Sequence, residues 1–312
     1  MKIKKKYQGT IVPVIAPLTA DYKLDEQAVE NIFDHLRKGE AEPFILGTTG
    51  ESASLPQSYK EDYLKAAAKY RAKDTMLYAG ISSNIVEESI AFAKMCFDAG
   101  VDVVAATLPT YYHLSEDQIK KYFLQLADAI PGPLIIYNIP ATTHMSIPVK
   151  LLDELSYHEN IVGTKDSERS EKRIDESLSL WKDREDFSHF LGWAAKSAYA
   201  LINGSDGVVP SSGNVVPAIY YEMCKAVSNG DEQKAYFYQY QSDVLGNLYQ
   251  KDRSLGESLW ALKVLMKELG LCDSNMMPPL RVASQREEME LRKAFQELIN
   301  KEKISLNILS HV

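Results

Sequence analysis

Short apolar runs recur along the 312-residue chain, and stretches of helical period separate them. The runs cover residues 10–15, 44–46, 76–79, 101–106, 134–137, 161–163, 190–192 and 207–209. Being apolar on both faces, they predict buried parallel strands rather than half-exposed antiparallel ones. Between them, Ala28, Ile32, Phe33 and Leu36 form one helical stripe, and Ile119, Tyr122, Phe123, Leu126 and Ala127 form another. Ser115 with Glu116 and Asp117 supplies the second stripe with an N-cap and an acidic first turn. Eight strand-then-helix units predict a (β/α)8 TIM barrel, because a doubly wound sheet usually has fewer strands. The barrel is expected to close near residue 230, giving a barrel domain over residues 1–230. Residues 231–312 then form an appended C-terminal helical bundle, with helices over 231–249, 255–269 and 285–300. Met276-Met277-Pro278-Pro279 breaks the last two apart. Pro43 is expected to interrupt the approach to the second strand.

Composition narrows the class. At 45% hydrophobic and 25% charged residues the chain is ordinary globular protein. A net charge of −8 argues against a nucleic-acid partner, since nothing would neutralise phosphates. The basic cluster from Lys2 to Lys6 reads as a solvated tail. Cys96, Cys224 and Cys272 are isolated and match no metal spacing; Cys96, between Met95 and Phe97, reads as a core residue. A reducing cytoplasm fits them. No apolar run reaches membrane-spanning length, and no signal-peptide core follows the basic cluster. The expectation is a cytoplasmic protein with no membrane partner.

In a barrel, reacting groups project from the C-terminal ends of the strands. Three such ends carry chemistry. Gly47-Thr48-Thr49-Gly50-Glu51 combines turn-forming glycines with hydroxyls beside backbone N–H groups, a nest suited to a small anion such as a carboxylate. It lacks the Gly-Lys-Ser/Thr of a P-loop, which argues against a nucleotide, and an ordinary glycine turn is the bland alternative. Tyr137-Asn138-Ile139-Pro140 places a tyrosine where it can pass a proton, or where it simply packs. Gly163-Thr164-Lys165-Asp166-Ser167 puts a lysine directly after a buried strand, where desolvation would free its amine for nucleophilic attack. A lone lysine there would be a surface charge; three such ends facing one mouth favour the chemical reading.

These three motifs resemble the dihydrodipicolinate synthase/N-acetylneuraminate lyase family of class I, Schiff-base, pyruvate-dependent aldolases. Gly207-Val208-Val209 with Asn214-Val215 is similar to that family's last-strand motif, and Pro278-Pro279-Leu280-Arg281 to its C-terminal segment. The resemblance implies that Lys165 forms an imine with pyruvate or a larger 2-oxo acid. It implies that Thr48 and Thr49 hold the carboxylate, that Tyr137 shuttles protons, and that Val209 offers a carbonyl near the imine. Tyr112, in Pro109-Thr110-Tyr111-Tyr112, matches the tyrosine that reaches a neighbouring subunit's site, and the family habit is a homotetramer built as a dimer of dimers. Neither metal nor organic cofactor is implied.

The chain also departs from the family pattern. Thr142 stands where the synthases carry an arginine for the aldehyde substrate's carboxylate, and His144 stands where a glycine is usual. Gly192-Trp193-Ala194-Ala195-Lys196 lacks the acidic pair with which sialic acid lyases meet a polyol tail. What remains resembles the 2-keto-3-deoxy sugar acid aldolases and dehydratases, with Ser167, His144, Trp193 and Lys196 as candidates for the distal pocket. Lys196 has a stronger bland reading, as a solvated charge at a helix start. Dihydrodipicolinate synthase itself, or a non-catalytic barrel that binds a 2-oxo acid, are the competing readings.

Overall fold

Eight strands form in chain order: β1 (Gly9–Pro13), β2 (Glu42–Ile45), β3 (Tyr78–Gly80), β4 (Val103–Ala106), β5 (Leu134–Asn138), β6 (Ile161–Asp166), β7 (Ser188–Leu191) and β8 (Gly207–Val208). In the computed structural model, which describes residues 5–306, they close into a barrel in the order β1 to β8. Helices alternate with the strands, so the fold is the expected (β/α)8 barrel. Three helices follow, Glu232–Gln250, Leu255–Glu268 and Gln285–Glu302, matching the appended helical segment.

The chain packs as two compact units. One holds residues 5–9 and 76–209; the other holds residues 10–75 and 210–306. In the first, β3 through β8 pair in parallel, and all four residues of β4 are buried. The helix Glu116–Ala129 lays the expected stripe from Ile119 to Ala127 inward, and Ser115 and Gln118 cap its start reciprocally. Cys96 is buried and free, and burial pushes its thiol up to about 12. In the second unit, β1 pairs with β2, and Pro43 lies inside β2 opposite Val12. Pro43 therefore does not interrupt the strand. The helix Glu26–Lys38 buries Ala28, Ile32, Phe33 and Leu36, again as the period predicts.

Two further expectations need correction. Lys5 is no solvated tail residue: it is 4% exposed, and its ammonium donates to Trp181 O at 2.9 Å, Phe187 O at 2.7 Å and Asp206 Oδ2 at 2.8 Å. Three acceptors repay the loss of water, which is the condition for burying a lysine. Lys2 and Lys4 lie outside the described residues. The second correction concerns β6, which runs on through Lys165 and Asp166 instead of stopping at Gly163.

Candidate active site

Strand register decides where Lys165 points. It pairs with Tyr137 on β5 and with Phe190 on β7, so these three side chains share one face of the sheet. The alternate residue Asp166 pairs with Leu191, which packs against Ile174, Leu178 and Ala200 on the helical side. Lys165 therefore faces the barrel interior and Asp166 faces the helix Glu171–Trp181. Lys165 is 4% exposed, and its Nζ lies 3.8 Å from the centroid of the Tyr137 ring. Burial pushes the amine below the ordinary lysine range, while Tyr137 opposes that shift. A buried amine with a depressed pKa is the form that attacks a carbonyl carbon.

The opposite face holds the strand in place. Arg173 Nε donates to Asp166 Oδ2 at 2.6 Å, and Asn138 Nδ2 and the Glu168 N–H donate to Oδ1 at 3.0 and 2.9 Å. Asn138 Nδ2 also reaches Glu168 Oε2, which accepts from Ser146 Oγ as well. The Asp166 carbonyl takes the Gly192 N–H at 2.6 Å. A Cβ at Gly192 would fall 2.1 Å from Ser167 Oγ, so a larger residue there would displace the Ser167 side chain. Arg173 and Glu168 were not singled out in the sequence, and Asn138 stood there only as part of the Tyr137 motif. The available signal was period: alternation past an inward lysine puts Asp166 on the buried helical face, where a carboxylate needs a cation.

In the other unit, the segment 47–51 turns tightly, with Gly50 N–H donating to Gly47 O and Glu51 N–H to Thr48 O. Among the described residues, neither the hydroxyls nor the N–H groups of Thr48 and Thr49 are taken up by internal hydrogen bonds. They are donors available to an anion. The glycines serve a different purpose from the one expected. Positive φ falls on Leu46 (57°) and Glu51 (55°), not on Gly47 or Gly50. Gly50 instead makes room for backbone, because a Cβ there would lie 2.9 Å from Val14 O.

Comparison with known proteins agrees with the motifs. The model of the dihydrodipicolinate synthetase family matches residues 6–298. The chain belongs to this family. It is a lyase of it. It is 26% identical over 296 residues to a 4-hydroxy-tetrahydrodipicolinate synthase of Halorhodospira halophila, covering 93% of this chain and 97% of that one. It superposes on dihydrodipicolinate synthase from Bacteroides thetaiotaomicron with a TM-score of 0.88 at 26% identity, over 95% and 100% of the two chains. YagE, a prophage protein of the same family from E. coli K12 solved in complex with pyruvate, gives 0.88 at 25%, over 94% and 99%.

The remaining family positions are less uniform. Val209 is buried, its N–H bonded to Leu191 O at 2.8 Å. Ser167 is half-buried, its N–H held by Asn138 O. Tyr111 and Tyr112 stand 79% and 74% exposed, edge to face at 4.9 Å. His144 is exposed at φ 58°, the left-handed residue closing the short helix Pro140–Thr143. Left-handed backbone favours glycine, which is the residue the resemblance implies at this place. Thr142 turns its hydroxyl to Ile139 O at 3.3 Å. Trp193 packs against the cluster of Ile174, Leu178, Leu191 and Ala200. Lys196, at the start of the helix Ser197–Asn203, pairs with Glu171 at 2.5 Å. Among the described residues, no helix is long and apolar enough to cross a membrane.

Proposed function

We propose that this chain is a Schiff-base-forming lyase, a class I aldolase or dehydratase, acting on pyruvate or a 2-keto-3-deoxy sugar acid. The neutral Lys165 amine attacks the keto carbon, the carbonyl oxygen leaves as water, and an imine remains. Once protonated, the imine accepts the electron pair of a bond broken beside it. Tyr137 passes protons to and from the reacting oxygen. Thr48 and Thr49 take the substrate carboxylate, the Val209 carbonyl lies near the imine, and Ser167 and His144 belong to the distal end. The observation that carries this reading is the buried Lys165 amine held against the Tyr137 ring. The mechanism requires neither metal nor organic cofactor. We place the enzyme in the cytoplasm, where its free thiols stay reduced, as a homotetramer in which Tyr112 serves a neighbour's site.

The name of the Halorhodospira relative favours a second reading, condensation of pyruvate with aspartate semialdehyde. Against it stands Thr142, which cannot replace a guanidinium's bidentate grip on a carboxylate. A barrel that binds a 2-oxo acid without turnover is the third reading. Borohydride added with pyruvate is expected to fix a stable adduct mass on Lys165; no adduct at saturating pyruvate overturns the mechanism. A panel of sugar-acid aldols, run beside pyruvate with aspartate semialdehyde, then separates the readings. Cleavage or dehydration of an aldol supports the first, coupling to the semialdehyde the second, and trapping without any turnover the third.

A further inference from the structure

The segment 47–51 is tied to the C-terminal helices by a buried charge. Glu51 and Lys263 form an ion pair whose side chains are both 0% exposed. Lys263 comes from the helix Leu255–Glu268, far along the chain from the turn it meets. Each partner is also fastened to the stretch after that helix: Lys263 Nζ donates to Asn275 O at 2.6 Å, and Glu51 Oε2 accepts the Met277 N–H at 2.8 Å. Asn275 Nδ2 in turn donates to Leu18 O at 3.0 Å, beyond the end of β1. Burial pushes the Lys263 amine down and Glu51 pulls it back up.

A fully desolvated ion pair is a poor way to gain stability, because apolar residues of the same volume do as well or better. Its better-attested use is to fix one arrangement among several. Here the arrangement is an unusual one: Leu46 and Glu51, both with side chains, hold left-handed backbone at either end of the glycine-threonine turn. Such residues relax toward ordinary dihedrals unless something over-determines them. The Glu51 carboxylate, bound on one oxygen by Lys263 and on the other by Met277, is that constraint.

We propose that Lys263 is a positioning residue for the carboxylate-binding turn: acting through Glu51, it sets where Thr48 and Thr49 present their donors to the carboxylate of a 2-oxo acid. The inference rests on the function proposed above, and it gives the C-terminal helices a part in substrate affinity. The turn contributes to binding and not to the attack itself, so its loosening raises the pyruvate concentration needed while sparing the rate at saturation.

The test follows borohydride trapping against pyruvate concentration in the full-length protein. Lys263→Met is expected to raise half-saturating pyruvate by about tenfold or more, the scale of a misplaced hydrogen-bonding group. The trapping rate at saturation should stay within about threefold of wild type, since Lys165 and Tyr137 are untouched. Equal half-saturation in a folded variant overturns the proposal, and so does a fall in saturated rate with half-saturation unchanged, which is the mark of a merely structural role. Should Lys263→Met fail to fold, Lys263→Met/Glu51→Gln carries the test, as it removes the stranded charge yet keeps an acceptor for the Met277 N–H. A wild-type half-saturation in that double variant overturns the proposal equally. If wild type itself traps nothing, it is the Schiff-base reading that fails, an outcome distinct from either.

Discussion

Burying a single lysine is costly unless its charge is paired or given up. Lys165 and Lys263 are both desolvated; Lys263 meets the Glu51 carboxylate, and Lys165 lies against the Tyr137 ring. Its pKa in the folded state is below the ordinary lysine value of 10.5. Between that depressed value and 10.5 the unfolded chain therefore binds more protons than the folded one, and stability rises with pH across the window. Below the window the full cost of burying the charge is present; above it none remains. Lys165→Met removes that cost. The variant is expected to unfold at higher denaturant than wild type at pH 7, with the gap closing toward pH 10.5. A gap of constant size at both pH values would mean that Lys165 is buried at no electrostatic cost, and the case for its reactivity would weaken.

Elements add what residues alone cannot. β6 offers its lysine to the interior and its next residue to the helices, so the geometry of the amine depends on how firmly Asp166 is held behind it. Arg173→Met would leave that carboxylate buried without its cation, the Arg173 and Asp166 side chains being only 10% and 4% exposed. Breaking a buried pair by removing one partner costs about 3–5 kcal/mol. Denaturant unfolding should show a loss of that order, with slower pyruvate trapping at Lys165; a loss under about 1 kcal/mol, the range of an exposed pair, would count against it. This network also marks how far the sequence could be read. Each strand was legible at least in part as an apolar run, because buried parallel strands are apolar on both faces; the start of β7 was not, since Ser188 and His189 open it. The end of β6 was not, since Lys165 and Asp166 look like loop residues until each is given its own face. The helical stretch expected after β5 comes as two short helices, Pro140–Thr143 and Val149–Leu155, for which no stripe was read because both are shorter than the window in which a helical period stands out. Lys165, Tyr137 and the Thr48-Thr49 turn stood out by motif, whereas Arg173 and Lys263 did not. A charge that is buried by pairing is recognised only once its partner, distant in sequence, is known.

For the whole molecule, the same rule governs the start of the chain and the proposed assembly. Lys5 and Asp206 are 1% and 2% exposed in their side chains, and Asp206 Oδ2 also accepts the His189 N–H at 2.9 Å. Lys5→Met would strand Asp206 together with the Trp181 and Phe187 carbonyls, at a cost of about 3–5 kcal/mol. Thermal unfolding should fall accordingly, and an unchanged midpoint would return Lys5 to the solvated tail. Tyr111 and Tyr112 pose the opposite problem, two large rings left in solvent on one chain. Tyrosine suits an interface because its ring buries apolar area while the hydroxyl keeps a polar partner. If Tyr112 completes a neighbour's proton relay, Tyr112→Phe should slow turnover by about 10²–10⁴-fold while pyruvate still traps on Lys165. Mixing distinguishes a shared site from a private one. Tyr112→Phe and Lys165→Met chains are each nearly inactive alone, the first lacking a hydroxyl and the second an amine. In a two-fold pair of one of each, the site that keeps Lys165 receives its partner's intact Tyr112. Refolding the two variants together at equal amounts should then restore about a quarter of the wild-type sites, the statistical share for random pairing about a two-fold axis. If the rings instead cover the mouth of their own barrel, every mixed site lacks one group or the other, and activity stays at the level of the separate variants.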